Sequence, residues 1–527
     1  MKNIVFAVLL TIGTKALFAQ ADIAINPNAT FNGESSLTVN PINENNLIVA
    51  WMKLNTLVLP VRMGIAVSFS NDGGVTWSVP LIMPHFQNTS VSADPTIVFG
   101  ANGIAYLGYV DYKTTLDSGR VVITKSIDGG ATWSSPVKVI DNFASSDIPI
   151  DRPWLVRDNS VTSVYTGRLY MISKSYKSAP STHHIWMCES SNDGITWTAP
   201  KMVDDSIPIG SFNNSMGVPA VTSNGNLHIE YLSFFTPLYP IPRFVDAVSA
   251  NGGNSFTSYR QIIDFPLNGV FASTDTLYQF SYNISAHPTS PTDLVTCWTD
   301  NRNGDPDIYS TYTKDGGFTW HAATRVNDDI ISNGKGQDMC WAGFNKNGIY
   351  TAAWRDRRNS VTGQNASYQV FGANSIDGGA NFTNFQLSQT LAPLYTPVDG
   401  NDFLGLTMNS TYAFATWTDK RNLSTNQLFF NKSQLPALTG LNEITNSDFK
   451  FAVLNNPVGS VIAYTLTIKR PVSVNLELLD AKGSIILVKS LGKLLTGDHS
   501  AVLNLPILPT GIYFISVNGK ATRLLKN

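Results

Sequence analysis

Residues 70–77 read SNDGGVTW, and this short pattern decides the fold because the chain repeats it five more times. The further copies are SIDGGATW at 126–133, SNDGITW at 191–197, SANGGNSF at 249–256, TKDGGFTW at 313–320 and SIDGGANF at 375–382. Successive copies are separated by about 60 residues, and self-similarity at such a period is typical of repeat architectures. The sequence therefore predicts one structural unit per repeat.

The letters of the repeat describe a tight turn. Its third residue, Asp or Asn, has a short side chain that accepts hydrogen bonds from nearby backbone N–H groups, and the glycines supply the positive φ that the turn needs. The terminal Trp or Phe is an apolar anchor, and a strand-like run such as GIAVSFS at 64–70 precedes each turn. The predicted accepting residues are Asp72, Asp128, Asp193, Asn251, Asp315 and Asp377.

Over roughly residues 35–435 these repeats resemble the Asp-box, or BNR-repeat, proteins, which are the sialidase-like β-propellers. The resemblance implies that each repeat is one propeller blade. It also implies that the Asp boxes are structural turns on the face away from the active site. The six copies are a specific signal for the fold, whereas for function they say little because propellers carry many unrelated functions.

The number of blades follows from the strand-like runs. Six repeats contain four runs each, and an incomplete seventh unit at 403–433 lacks both an Asp box and a fourth strand. We predict that DIAINPN at 22–28 supplies the missing outer strand and closes the ring, because closure removes exposed sheet edges. The predicted fold class is all-β: a seven-bladed β-propeller, with six blades as the alternative, followed by a small C-terminal β-sandwich.

The composition is typical of an all-β, turn-rich exported protein. Of 527 residues, 43% are hydrophobic and only 14% are charged, with 39 Gly and 27 Pro. The net charge of −2 gives no reason to expect nucleic-acid or anionic-membrane partners. Residues 1–19 read as a signal peptide with Ala19 at the cleavage point, and we expect no transmembrane segment.

The chain changes character after the propeller, which is predicted to span 21–434. A polar linker is predicted at 435–447 and a small sandwich at 448–527. With Asn456-Pro457-Val458, LLDAKG at 478–483 and LPTGIYFISV at 508–517, the last segment resembles the C-terminal sorting domain of the type IX secretion system of Bacteroidetes. The resemblance implies that the secretion machinery is a partner and that the protein is secreted or attached to the outer-membrane surface.

The three cysteines, Cys188, Cys297 and Cys340, are too few and too widely spaced for a disulfide framework. Buried free thiols are the expectation. A Cys297–Cys340 bridge between neighbouring repeats stays open, because both residues fall on predicted strands.

Candidate ligand-binding residues lie on the face opposite the Asp boxes, where a depression ringed by charges and aromatics is expected. The stretch DRPWL at 151–155 is unrepeated, so Asp151, Arg152 and Trp154 are predicted to bind substrate. A planar guanidinium suits the carboxylate or sulfate of an acidic glycan. The structural alternative is an Asp–Arg pair at the start of a strand.

The motif W-x-D-x-R occurs three times, beginning at Trp298, Trp354 and Trp417. Three copies at equivalent positions predict a repeated Asp–Arg brace between blades. The alternative is that at least one copy contacts ligand, and Arg302 of the first copy is a candidate substrate-binding arginine.

The resemblance to sialidases suggests further roles. That family uses three arginines on the substrate carboxylate, a Tyr nucleophile paired with Glu, and an Asp acid/base. Here Glu230 and Tyr231, followed by Arg243 ahead of an Asp box, match part of that pattern, and Asp111 is a further catalytic candidate. The Arg-Ile-Pro element, an acid between residues 53 and 62, and the Tyr of the sixth inner strand are missing, which argues against exo-sialidase activity.

A polysaccharide lyase is the second enzymatic reading. Adjacent His183 and His184 could supply the base, while Arg152 and Arg243 could neutralise a uronate carboxyl.

No cofactor is expected, with one open point. Asp300, Asp305 and Asp307 could offer oxygen ligands to Ca²⁺, although a solvated turn is the default for such a cluster.

The sequence thus favours an extracellular glycan-active propeller, either a glycoside hydrolase resembling sialidases or a polysaccharide lyase, acting on acidic glycans. A non-catalytic glycan-binding or surface-interaction propeller is the alternative, and the fold by itself does not choose between them.

Overall fold

Every regular element in the described part of the chain is a β-strand. The computed structural model describes residues 21–27, 31–56, 61–87, 89–113, 119–141, 151–174, 184–204, 216–233, 243–256, 258–264, 278–361, 367–393, 403–421, 425–436, 443–445, 448–454, 456, 458–480 and 483–526. The predicted signal peptide lies outside these ranges. The chain divides into two units, Met1–Leu435 and Pro436–Asn527.

The described part of the first unit forms seven sheets. In each sheet, the first three strands from that part of the chain lie side by side in the order in which the chain forms them. The first four sheets consist of β2 (Asn32–Val39), β3 (Leu47–Asn55), β4 (Arg62–Ser70) and β5 (Leu81–Ile82); β6 (Ser90–Phe99), β7 (Ala105–Lys113), β8 (Gly119–Ser126) and β9 (Val137–Asp141); β10 (Asp151–Arg157), β11 (Leu169–Lys174), β12 (Ile185–Ser190) and β13 (Lys201–Met202); and β14 (Val218–Val221), β15 (Leu227–Ser233), β16 (Arg243–Ser249) and β17 (Ser258–Asp264). The remaining sheets consist of β18 (Tyr282–Ala286), β19 (Leu294–Asp300), β20 (Asp307–Thr313) and β21 (Thr324–Arg325); β22 (Gln337–Phe344), β23 (Tyr350–Asp356), β24 (Ser367–Ser375) and β25 (Thr383–Gln386), with β26 (Ala392–Pro393) also pairing with β24; and β27 (Gly405–Met408), β28 (Tyr412–Asp419) and β29 (Gln427–Gln434), with β1 (Ile23–Ala24) on its outer edge.

The N-terminal strand completes the seventh sheet, as predicted. Ile23 pairs with Phe430 and Ala24 with Phe429, both antiparallel. The carboxylate of Asp22 accepts hydrogen bonds from Gln389 N at 2.9 Å, among others. Residues from the two ends of the first unit are thus joined in one sheet, with β1 as its outer strand.

The first strands of the seven sheets contact one another in sequence, and the first strand of the seventh sheet returns to β2. Side chains bridge the last and first sheets, since Ser35 Oγ donates to Thr416 O at 3.2 Å. Second strands such as β11 are buried along their whole length because sheets pack on both of their faces. The apolar core therefore lies between sheets.

The Asp boxes form the predicted turns after the third strands. In the first turn, Asp72 Oδ1 accepts from Ser70 Oγ at 2.8 Å and from Thr76 N at 2.9 Å. The prediction for the third turn is wrong by one residue. There Asn192 accepts from Thr196 N at 3.0 Å, and Asp193 occupies the position of a glycine, with a φ of 56°.

The second glycine of the box allows the turn to pack on the neighbouring sheet. Gly74 has a φ of +84°, and a Cβ added there would lie 2.2 Å from Phe430 Cζ in the seventh sheet. No side chain fits at this position.

We expect Gly74→Ala to lower the free energy of unfolding by about 2–4 kcal/mol, because it combines backbone strain with overpacking against Phe430. Gly304→Ala is the matched control: Gly304 also has a positive φ, +98°, but no atom lies within 4 Å of an added Cβ. Urea denaturation should show a clearly smaller loss for the control. Equal losses for the two variants would contradict this account of the packing.

The described part of the second unit forms two four-stranded sheets. Their strands are β30 (Glu443–Thr445), β31 (Phe449–Val453), β32 (Val461–Ile468) and β35 (Gly497–Asn504), and β34 (Ile485–Leu494), β33 (Val472–Leu479), β36 (Gly511–Val517) and β37 (Lys520–Lys526). One apolar cluster that includes Phe451, Leu466, Leu476 and Ile515 joins them.

Among the described residues, no helix has the length and apolar character that crossing a membrane requires.

Candidate functional site

The first strands of four sheets, which are the inner strands of the ring, share an unusual backbone feature. The pairing of β2, β6, β10 and β22 with the next strand shifts at a bulge, and at each bulge a residue other than glycine has a positive φ. These residues are Glu34 (φ 48°), Asp94 (φ 52°), Arg152 (φ 48°) and Met339 (φ 54°). Such strained positions concentrate at functional sites, so the bulges are the first place to search.

Five charged residues gather at the first three bulges and form what we call the inner-strand charge cluster: Glu34, Asp94, Asp151, Arg152 and Lys174. Asp94 hydrogen-bonds with the side chain of Glu34, and its Oδ2 accepts from Arg152 N at 3.1 Å. Lys174 Nζ lies 3.3 Å from Asp151 Oδ2. The cluster therefore links three consecutive sheets near the beginnings of their first strands, and strand direction places it opposite the Asp-box turns.

The environment shifts the proton affinities within the cluster. Burial, reinforced by the Asp151 carboxylate, raises the pKa of Asp94. Burial lowers the pKa of Lys174, although Asp151 acts in the opposite direction. The hydrogen bond with Glu34 and the charge of Arg152 act in the opposite direction and lower the pKa of Asp94. Because burial outweighs them, Asp94 keeps its proton to a higher pH than a free aspartate, as a general acid requires.

Aromatic side chains meet inside the ring next to this cluster. Trp154 of the third sheet stacks on Trp341 of the sixth sheet, with ring centroids 4.5 Å apart, and Phe403 packs edge-on against Trp154 at 5.1 Å. The guanidinium of Arg152 lies 5.3 Å above the Phe403 ring. Because the two tryptophans come from sheets that are not neighbours, their contact crosses the ring, and Phe403 connects it with Arg152 of the charge cluster.

The prediction that DRPWL is unrepeated is wrong. Asp151 and Trp154 occupy the same bulge positions as Asp338 and Trp341, so the pattern recurs as DMCWA at 338–342. What distinguishes the third sheet is Arg152 at the strained position, where the sixth sheet has Met339.

Asp338, in the copy of this pattern in the sixth sheet, is the centre of a buried ion cluster. Arg355 Nε donates to Asp338 Oδ1 at 2.8 Å and Arg357 Nη1 donates to the same oxygen at 3.0 Å. Burial alone would raise the pKa of Asp338, but the two guanidiniums hold it below its ordinary value.

Glu230 and Tyr231 lie in the middle of β15, fully buried between sheets. Glu230 Oε1 accepts from Thr296 Oγ1 of the fifth sheet at 2.6 Å, and burial raises the pKa of Glu230 well above its usual range. Tyr231 belongs to the apolar cluster between the third and fourth sheets. The structure thus buries both residues between neighbouring sheets.

We expect Glu230→Gln to leave ligand turnover unchanged and to alter the pH dependence of stability. A carboxyl whose folded pKa is raised binds more protons in the folded state, so wild-type stability falls as pH rises above the unfolded value of about 4.3. The glutamine variant lacks this loss. Urea denaturation at pH 5 and pH 8 should show that the variant gains on the wild type at the higher pH. An identical pH dependence of the two proteins would refute the assignment.

Asp111 is fully buried, and its carboxylate is occupied. Oδ2 accepts from Phe86 N at 2.9 Å, while Oδ1 accepts from Ser92 Oγ at 3.1 Å and lies 3.2 Å from His85 Nδ1. It anchors the segment after the fourth strand of the first sheet.

His184 lies at the start of β12 and pairs with Asp204 at 3.0 Å. This hydrogen bond raises the pKa of His184. Asp204 also accepts from Ile185 N at 2.8 Å, so the pair belongs to the outer part of the third sheet. His183 lies outside the described residues.

The W-x-D-x-R loops form Asp–Arg braces, mainly within single sheets. Asp300 Oδ2 accepts from Trp298 Nε1 at 2.9 Å and from Arg302 Nε at 2.8 Å, and the Arg302 guanidinium lies 4.4 Å from the centre of the Tyr309 ring. The copies at Asp356 and Asp419 keep the tryptophan bond. Arg358 reaches Asp356 through its backbone N and Nη2, whereas Arg421 donates to Asp419 through Nε. Arg302 is engaged with the brace inside its own sheet. Arg358 also donates to Asp328 Oδ1 at 2.6 Å, and because Asp328 follows the fifth sheet, this copy alone of the three shows an Asp–Arg bond to a neighbouring blade among the described contacts. Arg243 starts β16 and is partly buried.

The carboxylates considered for Ca²⁺ are engaged by the protein's own groups. Arg302 binds Asp300, and Arg325 Nε donates to Asp307 Oδ1 at 2.7 Å. Within the described ranges, no three His, Cys, Asp or Glu side chains are arranged to hold a metal ion. The residues present do not fit a cation site.

Sequence reasoning missed Glu34, Lys174 and Trp341. An alignment of the starts of the first strands places Asp94-Pro95 beside Arg152-Pro153. Such an alignment would have indicated that charged residues gather at this position in the first three sheets. Nothing in the sequence shows that Trp154 and Trp341 meet, because the contact crosses the ring.

Several solved structures are similar to this chain at low identity. The Hadza microbial sialidase Hz136 is 14% identical over 79% of this chain and 69% of that chain, with a TM-score of 0.43. A protein of unknown function from Dyadobacter fermentans is 11% identical over 79% and 98%, with a TM-score of 0.42. An α-L-arabinofuranosidase from Fusarium graminearum is 12% identical over 68% and 96%, with a TM-score of 0.44.

Comparison with curated proteins finds no match for this chain. Residues 455–527 match the family described as the secretion system C-terminal sorting domain, which confirms the prediction for this segment. The chain is therefore exported by the type IX system through this C-terminal sorting domain, and is secreted or attached to the outer-membrane surface.

Proposed function

We propose that the first unit is a closed seven-bladed β-propeller that binds an acidic glycan at the inner-strand charge cluster and hydrolyses it, and that the second unit is a small β-sandwich. The ring of contacts between first strands and the β1–β29 pairing support the closed propeller. One observation carries the functional proposal: Asp94, with its raised pKa, hydrogen-bonds with Glu34 beside Arg152 at strained backbone positions.

In this proposal each group has one task. Arg152 binds the carboxylate or sulfate of the glycan. Asp94 donates its proton to the glycosidic oxygen as the C–O bond breaks, and a water molecule supplies the hydroxyl to the sugar. The water's remaining proton returns to Asp94 through Glu34. Trp154 and Phe403 offer apolar ring surface on which a sugar can rest.

A non-catalytic glycan-binding propeller is the second candidate function, and one observation favours it. Glu34 and Asp94 hydrogen-bond with each other, which places them closer than the roughly 5–9.5 Å that separates the carboxyl pair of ordinary glycosidases. Binding by Arg152 needs no such separation.

Binding is tested with Arg152→Gln in the full exported chain. Calorimetry with sialylated, uronate-containing and neutral oligosaccharides should show a preference for an acidic ligand, and the variant should bind that ligand about 10-fold or more weakly, since a lost charge-assisted hydrogen bond is worth about 1.5–3 kcal/mol. Arg260→Gln is the control, because Arg260 lies over Phe318 beside an Asp box.

Hydrolysis is followed in the same samples as released reducing ends. Turnover would support the hydrolase, and binding without turnover would support the non-catalytic glycan-binding propeller. Equal binding by Arg152→Gln and wild type would contradict both proposals.

A further inference from the structure

Two cysteines from neighbouring sheets touch each other in the core of the first unit. Cys297 lies on β19 of the fifth sheet and Cys340 on β22 of the sixth, and both are buried free thiols. Their sulfur atoms are 3.7 Å apart, which is van der Waals contact. No other side chain can stand between two sulfurs at that distance.

Polar groups of the fifth sheet hold both thiols in this orientation. Cys297 Sγ donates to Asn283 Oδ1 at 3.2 Å, and Ser281 Oγ donates to Cys340 Sγ at 3.4 Å. The third cysteine, Cys188, belongs to a different apolar cluster in the third sheet and cannot compete as a partner in the folded protein.

We propose that Cys297 and Cys340 are joined by a disulfide in the exported protein, so that the fifth and sixth sheets are covalently linked. Export takes the chain out of the reducing cytosol, and disulfides form and persist in such compartments. A contact of 3.7 Å needs only small side-chain rotations to reach bonding distance.

The oxidant is a protein or small-molecule disulfide. One cysteine thiolate attacks that disulfide and displaces its first thiolate, and the second cysteine thiolate then attacks the mixed disulfide and displaces the other. The oxidant takes up two electrons, together with the two protons that Cys297 and Cys340 lose. Its two sulfurs therefore leave as thiols. Burial raises the pKa of Cys297 well above its usual range, so thiolate becomes scarce once the sheets have packed. The exchange therefore takes place during export, before the two sheets close.

Thiol counting on the full secreted chain tests the proposal without depending on any variant's fold. The protein is collected from the medium without reductant, unfolded in iodoacetamide and weighed. Of the three cysteines, one should be alkylated before reduction and all three after it. Secreted Cys188→Ser is the control and should take up none before reduction and two after it.

Peptide mapping identifies the linked residues, and thermal unfolding measures the consequence. A cross-linked peptide that contains Cys297 and Cys340 is expected, and reduction should lower the Tm by several degrees in wild type but not in Cys340→Ser. Alkylation of all three cysteines without reductant would overturn the proposal, as would a cross-link that involves Cys188.

Discussion

Replacing Asp338 with alanine is expected to lower the free energy of unfolding by about 3–5 kcal/mol, because removing one partner from a buried ion cluster leaves buried charge without compensation. The carboxylate binds Arg355 and Arg357, whose side chains are 1% and 0% exposed. It also accepts from Gln279 N at 2.7 Å, across the boundary between the fifth and sixth sheets. The variant therefore loses a charge balance and a bond between sheets.

The matched control is Asp328→Ala. Asp328 also pairs with an arginine, Arg358, but its side chain is 61% exposed, and exposed pairs contribute at most about 1 kcal/mol. Urea denaturation followed by tryptophan fluorescence compares the two. If both variants unfold at the same urea concentration, the buried cluster is not a main source of stability.

Asp94→Asn is expected to reduce kcat/KM for glycan hydrolysis about 10²–10⁴-fold, the usual contribution of a general acid. Asparagine keeps an acceptor for Arg152 N and tolerates the positive φ at this position, so the fold should persist. The variant also loses a carboxyl that burial disfavours in its charged form. Its stability at neutral pH should therefore equal or exceed that of wild type.

The pH profile distinguishes an acid from a merely structural group. Since the pKa of Asp94 is raised, wild-type activity should fall on the alkaline side as this carboxyl loses its proton. The residual activity of Asp94→Asn should not show this fall at alkaline pH. An alkaline limb that persists in the variant would assign it to another group, and unchanged kcat/KM would remove Asp94 from the reaction.

The repeats determined much of the fold in advance. Strand runs and turns could be predicted because each depends on local chemistry, namely alternation and glycine φ. The closing role of residues 22–28 could be predicted from the strand count, because the seventh unit lacked one strand. The exception within the turns is informative. Asn192 and Asp193 are adjacent and both suit a turn, and only the bonds to Thr196 show which one closes it.

The site residues were harder to predict because burial is a property of packing. Glu230 and Asp111 have carboxylates of the type that catalyses glycan hydrolysis. In the folded protein both are buried and accept hydrogen bonds from Thr296 and Phe86, respectively. Asp151 and Trp154 have counterparts in Asp338 and Trp341 of the sixth sheet, so Arg152 is the part of this stretch that is particular to the third sheet.

What the sequence determined by itself was the repeat, the all-β class and the C-terminal sorting segment, because these depend on residues close together in the chain. The tertiary structure alone decided that Glu34, Asp94 and Arg152 gather at three bulges and that Trp154 meets Trp341. The physical reason is ring closure, which brings together side chains that no local pattern relates.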